Sequence, residues 1–299
     1  MHTPKYTLPA YGKLLQVSPL IARVTANNPS PYTFTGTGTY IVGATDLVVI
    51  DPGPEVEAHK QALIAAIAGR PVRAVLVTHT HADHSTLAPW LAAECGSKTY
   101  GYGPHGVGRK AGLDDEQVEA GADTAFTPDI HIKDGFEIRG AGWTMRALFT
   151  PGHTSNHMCF ELVEENALFT GDHVMRWATT VISPPDGDMR AYMDSLKKVR
   201  DKNYAIMYPT HDKPVTKPTR FTNALIGHRR QREQQIYDAL ATGHTTITAI
   251  TERLYKDVDT RLHLAASRSV FSHLIMMVED GRVVCEQPIR LDHTFTALK

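Results

Sequence analysis

The chain has 299 residues, enough for one large domain and a smaller one around a substantial core. Hydrophobic residues make up 42% and charged residues 21%, the profile of an ordinary soluble globular protein. A formal net charge of -1 excludes a general attraction to nucleic acid or anionic membrane, so any polyanion preference must come from a local patch. Cys95, Cys159 and Cys285 stand far apart with no Cys-x-x-Cys pair, which argues for a reducing compartment and against a disulfide framework. The opening residues 1–17 lack an apolar core of signal-peptide length, and no run reaches membrane-spanning length. The expected setting is cytoplasmic, with no membrane partner.

Short apolar runs punctuated by turn residues dominate the first part. Tyr40-Ile41-Val42 and Leu47-Val48-Val49-Ile50 read as strands around a turn near Gly43, the second stopped by Asp51-Pro52-Gly53-Pro54. Residues 59–68 carry Ala, Leu and Ile at helical spacing before Gly69. A buried strand over 72–77 runs into a histidine-rich loop, and a helix is expected over 85–94. Strands follow at 144–148, 157–163 and 167–170, then a helix over 189–201 and a strand over 205–208. Residues 213–218 read as a linker. Beyond it come helices over 221–240, 246–255 (with Thr246 as its cap) and 262–280, the last ending at Gly281. Residues 282–286 and the tail suggest a short hairpin, and three helices plus such a wing outline a winged helix.

The chemistry concentrates in Thr78-His79-Thr80-His81-Ala82-Asp83-His84. In extended backbone, side chains two apart point the same way, so His79 and His81 can grip one ion. The turn that follows can present Asp83 and His84 to a neighbouring ion. His153 follows Pro151-Gly152, Asp172 follows Thr170-Gly171, and His211 follows Pro209-Thr210. Each sits just beyond a predicted strand, where a rigid sheet presents its loops. Singly they are weak signals; sharing one topological position with the first cluster, they are a strong one.

The pattern His-x-His-x-Asp-His, followed by His, Asp and His on successive strand ends, resembles the metallo-β-lactamase superfamily over about residues 15 to 215. That resemblance implies an α/β fold, a four-layer αββα sandwich over 1–215, with a small helical winged-helix-like domain over 216–299. It implies a first metal on His79, His81 and His153, and a second on Asp83, His84 and His211, with Asp172 bridging both. Asp51 matches an acidic residue that supports ligands without touching metal. Two zinc ions suit these nitrogen and oxygen donors, and manganese or iron also fits. Finer similarity, in Asn28-Pro29-Ser30-Pro31-Tyr32-Thr33, Gly36-Thr37-Gly38-Thr39-Tyr40 and the helix from His228 to Ile236, is to the lactamase-like protein 2 group. Animal members of that group are single-strand RNA endonucleases. The chain departs from it at Gly38, where Asn is common, and at His173.

The implied activity is hydrolysis by a metal-bridging hydroxide, with Asp83 and Asp172 as catalytic residues. The expected substrate is an anionic ester or phosphodiester such as single-stranded RNA. The enzymatic alternative is a thioesterase of glyoxalase II type, or a promiscuous hydrolase with weak β-lactamase activity. Asp172, where true metallo-β-lactamases use Cys or Ser, argues against efficient β-lactam cleavage. Arg176, Arg190 and the cluster Arg229, Arg230 and Arg232 are candidates for an anionic substrate, though a solvated helix face suits the cluster better. A non-enzymatic alternative makes the C-terminal segment a nucleic-acid-binding module on a metal sensor. Duplex DNA is disfavoured, because Arg268 is the only basic residue of the mostly apolar third helix between Leu262 and Asp280, apart from histidines such as His263 and His273. The segment reads instead as a lid, a substrate platform or a homodimer contact.

Overall fold

The computed structural model describes residues 8–110, 113 and 121–298. Strands β1 (Leu14–Gln16), β2 (Ile21–Thr25), β3 (Gly38–Val42) and β4 (Leu47–Ile50) form an antiparallel run. After helix α1 (Glu57–Ile67), β5 (Val72–Leu76) returns parallel to β4. Short helices α2 (Ala82–Ser85) and α3 (Ala88–Glu94) lead to β6 (Thr99–Gly101) and β7 (Ile130–His131), completing a seven-stranded sheet in sequence order. Strands β8 (Glu137–Gly140), β9 (Trp143–Phe149), β10 (Met158–Leu162) and β11 (Ala167–Gly171) form an antiparallel meander. Helix α4 (Met189–Asp201) then returns the chain to β12 (Ile206–Pro209), parallel to β11.

The strand period explains the layering. Tyr40, Val42, Val48 and Ile50 point into a core shared with Met145, Phe160, Phe169 and Tyr208 of the second sheet. Their neighbours Ile41, Leu47 and Val49 point the other way, against Leu63 and Ile67 of α1 and Leu91 of α3. Strands buried on both faces read as unbroken apolar runs, which is how β4 stands in the sequence. The second sheet is covered by α4, whose Met189, Tyr192, Met193, Leu196 and Val199 line one helical face. Asp188 caps that helix by accepting from the Ala191 N–H at 3.0 Å. The expected αββα order is therefore present.

The helix expected over 85–94 is divided. Pro89 has no N–H to continue a helix from α2, so the chain restarts as α3 with Pro89 in its first turn. Strands β1, β2, β6, β7 and β8 have no counterpart among the expected elements. Within the presumed linker, Val215 exchanges backbone hydrogen bonds with Met207, which stitches it to β12.

Helix α5 (Pro218–Ala241) belongs to two clusters. Its Leu225 and Ile226 pack beside α4, while Ile236, Ala239 and Leu240 join a separate core. That core also takes α6 (Ile247–Leu254), α7 (His263–Glu279) and the hairpin β13 (Val283–Cys285) with β14 (Phe295–Ala297). Thr246 caps α6 by accepting from the Ala249 N–H at 3.2 Å. Among the described residues, no helix is long and apolar enough to cross a membrane.

Candidate metal centre

The loops that follow β4, β5, β9, β11 and β12 meet at one edge of the sandwich. They bring His79, His81, Asp83, His84, His153, Asp172 and His211 together. On one side, Nδ1 of His81 lies 2.9 Å from Nε2 of His79 and 3.2 Å from Nε2 of His153. Four nitrogens around a tetrahedral zinc at about 2.0–2.1 Å stand roughly 3.3 Å apart, so both separations are close to those of neighbouring ligands on one ion.

On the other side, Nε2 of His211 lies 3.2 Å from Oδ2 of Asp83 and 3.4 Å from Oδ1 of Asp172. Nε2 of His84 lies 3.4 Å and 3.6 Å from the same two oxygens. The remaining Oδ2 of Asp172 faces the first side, 3.9 Å from Nε2 of His153. One carboxylate thus turns one oxygen toward each donor group. The Nε2 of His84 and the Oδ1 of Asp172 are buried with no hydrogen-bond partner, a costly arrangement unless a cation lies between them. The donors, their spacing and these two orphaned atoms fit a pair of divalent ions.

The outer nitrogens are tied down. Nδ1 of His84 donates to Oδ2 of Asp51 at 2.9 Å, that of His153 to the Val181 carbonyl at 2.7 Å, and that of His211 to the Gly36 carbonyl at 3.1 Å. Nδ1 of His79 meets Thr78 Oγ1 at 3.1 Å, and that hydroxyl donates onward to Asp51. Each acceptor holds the proton on Nδ1 and leaves the Nε2 lone pair aimed inward, the tautomer a metal needs.

Charge divides the two sides. Burial, then the neighbouring His84, His81 and His153, hold His79 well below the usual histidine range. Burial also pulls on His84 and His211, but Asp83 and Asp172 outweigh it, holding His84 well above its usual range and raising His211 to about 9. Burial pushes Asp83 and Asp172 up, yet His84 and His211 keep both below the ordinary carboxylate range. Without metal, protons take the place of cations on the carboxylate side. A raised histidine pKa stabilises the fold below the unfolded value of about 6.5, and that contribution disappears as pH climbs through the folded value. The melting temperature of chelator-treated protein is therefore expected to fall from pH 6.5 through about 9. Saturating zinc should flatten that fall, and a flat profile without metal would contradict the assignment.

Apart from Asp51, the supports of the centre escaped the sequence reading. Asp51, anticipated as a support, is a buried hub that also accepts from the Thr78 N–H at 2.8 Å and from Thr210 Oγ1 at 3.0 Å. A threonine directly before a histidine at two strand ends, Thr78 and Thr210, was the available signal. Thr37 donates to Oδ2 of Asp83 at 3.1 Å, and Asn28 holds Thr37. The departure at Gly38 has a physical reason: a Cβ there would lie 2.0 Å from Nε of Arg23. The guanidinium uses that space to reach the carbonyls of Thr210 and Asp212, on either side of His211. His173 lies outside the donor groups, packed on Tyr192 at a 5.0 Å ring separation.

The arginines do not act together. Arg229 is buried, Arg230 is exposed, and Arg232 lies 4.3 Å over the Tyr255 ring. Arg190 pairs with Asp280 at 2.7 Å, at the end of α7. Arg176 is exposed. His263 and Ser267 bond local carbonyls, and His273 is buried.

A two-sheet α/β sandwich with a histidine and aspartate centre at its loop edge defines a metal-dependent hydrolase. The model of the metallo-beta-lactamase superfamily matches residues 32–211, and that of the beta-lactamase associated winged helix domain matches residues 246–288. The chain belongs to the metallo-β-lactamase superfamily. It is 30% identical over 279 residues to the beta-lactamase-like protein 2 homolog of Caenorhabditis elegans, covering 91% of this chain and 88% of that one. It is 31% identical to an atrochrysone carboxyl ACP thioesterase of Aspergillus fumigatus, covering 93% and 87%. The fold is similar to that of a metallo-beta-lactamase family protein from Thermus thermophilus, with a TM-score of 0.77, 20% identity and coverage of 95% and 100%.

Proposed function

We propose that the chain is a thioesterase, cleaving an acyl thioester with the seven clustered side chains as its metal ligands. The observation that carries this reading over single-stranded RNA is the fate of the arginines. A phosphodiester chain needs a basic track. Here Arg229 is buried on a carbonyl, Arg232 packs on Tyr255, and Arg190 is neutralised by Asp280, so of the five candidate arginines only Arg176 and Arg230 stand exposed. The similarity to the Aspergillus thioesterase points the same way.

A pair of divalent ions, when bound, supplies a Lewis acid for the carbonyl oxygen and acidifies water. The chain's own residues do the rest. Asp83 is the most open of the acidic ligands, with a side chain 25% exposed against 10% for Asp172. Thr37 and His211 fix its Oδ2, so Asp83 can orient an attacking water, whose proton passes to solvent. Asp172 sets the spacing of the two donor groups. Water oxygen bonds to the acyl carbon, the C–S bond breaks, and the sulfur leaves as thiolate and is protonated by solvent. Thiols ionise near about 8.5, so the leaving group needs no strong acid placed against it, whereas an alkoxide leaving from RNA does.

The test is direct. Zinc-loaded protein is assayed on acyl-pantetheine thioesters by thiol release and on end-labelled single-stranded RNA by gel. Thioester turnover at least about a hundredfold above that of Asp83→Asn is expected. Cleavage of RNA with thioesters left intact would overturn the thioesterase reading.

A further inference from the structure

We infer that Arg229 is a positioning residue for the metal centre, acting from the C-terminal helical region through the loop that follows Asp172. The chain from Asp172 to Val181 is laced at successive carbonyls. Thr180 Oγ1 donates to the Asp172 carbonyl at 2.6 Å and reaches that of His173 at 3.3 Å. Tyr192 Oη donates to the His173 carbonyl at 3.1 Å. The Val181 carbonyl accepts Nδ1 of His153. Arg229 Nη2 donates to the carbonyl between these contacts, that of Thr180. One loop therefore carries the backbone of the aspartate that faces both donor groups and the acceptor that sets the tautomer of His153.

Arg229 is an expensive way to make one hydrogen bond. It is only 3% exposed, and its Nε is buried without a partner. Among the described residues no carboxylate pairs with it. Burying an unpaired charge is unfavourable, and a neutral donor would satisfy one carbonyl at lower cost. What arginine adds is a planar group that stacks while it donates: the guanidinium lies 5.3 Å over the Tyr192 ring. Tyr192 holds the His173 carbonyl, so stacking couples two anchor points of the same loop. Arg232, one turn along α5, spends its contacts on Leu254 and Tyr255 and does not reach this loop.

The test compares Arg229→Gln, Arg229→Lys, Thr180→Val and Arg232→Gln in the full chain. Zinc affinity is read by chelator competition, and the cobalt-substituted proteins by their visible absorption. Neither readout depends on the substrate, so a failed thioesterase assay leaves this inference standing. Arg229→Gln is expected to lose about 10–100-fold in affinity for at least one ion and to shift the cobalt bands, as removal of an outer support does. Arg229→Lys should recover part of the affinity. Thr180→Val should reproduce the cobalt shift from within the same loop, and Arg229→Lys, which keeps the charge but not the planar stack on Tyr192 and should stay short of wild-type affinity, carries the test if Arg229→Gln does not fold. Arg232→Gln should change the melting temperature alone. Wild-type affinity and spectrum in Arg229→Gln or, where that variant does not fold, in Arg229→Lys would overturn the inference. Equal effects of the Arg229 and Arg232 variants would also overturn it.

Discussion

Asp172→Ala is expected to abolish turnover, by more than about a thousandfold, because the centre loses several kcal/mol of charge stabilisation at the reacting carbonyl. The reason is positional. Asp172 is the one carboxylate of the centre whose two oxygens face different donor groups, with Oδ1 3.4 Å from His211 and Oδ2 3.9 Å from His153. Removing it leaves Nε2 of His84 and His211 facing only Asp83. Elemental analysis should show the variant short of metal while its circular dichroism stays native. A second signature is available without metal. Asp172 is the largest influence holding His211 above its usual range, so histidine titration by NMR should find His211 below its parent value of about 9. Full metal content with parent activity would remove Asp172 from the centre.

The second large effect is expected at a residue outside the donor groups. Asp51 is fully buried and satisfies four donors: the Nδ1 of His84, the N–H and hydroxyl of Thr78, and the hydroxyl of Thr210. Asp51→Ala strands all four in the interior. A loss of about 3–5 kcal/mol in urea unfolding is expected, the cost of breaking a buried charged network from one side. Metal affinity should drop about 10–100-fold in parallel, since the His84 tautomer is no longer enforced. Asp51→Asn separates the two effects. Its amide oxygen can keep part of the network and recover stability, but its N–H₂ opposes the Nδ1–H of His84, so metal affinity should stay low. Parent stability in Asp51→Ala would show that the hub carries no load.

Much of the centre was legible because its chemistry is local. His79, His81, Asp83 and His84 fall within six positions, and His153, Asp172 and His211 each follow a strand. Residue types that bind metals and loops that end strands can both be read along the chain. The outer supports were less legible because their partners lie far away in sequence. Arg23 and the Thr210 carbonyl are 187 residues apart, and Arg229 and the Thr180 carbonyl 49. The arginine cluster on α5 illustrates the limit. Three basic residues in four positions read as one charged face, yet at helical spacing Arg229 turns inward, Arg230 outward and Arg232 toward Tyr255. The shortest strands were missed because they carry too little pattern. β1, β6 and β7 have three residues or fewer, too short for a period to register. Gly38 shows the reverse case, a departure visible in sequence whose meaning needed the Arg23 side chain beside it.

The account rests on two adjoining sites built from seven side chains, and metal stoichiometry tests that most directly. Protein stripped with chelator, reloaded with zinc and desalted should retain two ions per chain by elemental analysis, with the second lost on Asp83→Ala and both weakened on Asp172→Ala. One ion per chain in the parent, or none, would contradict it.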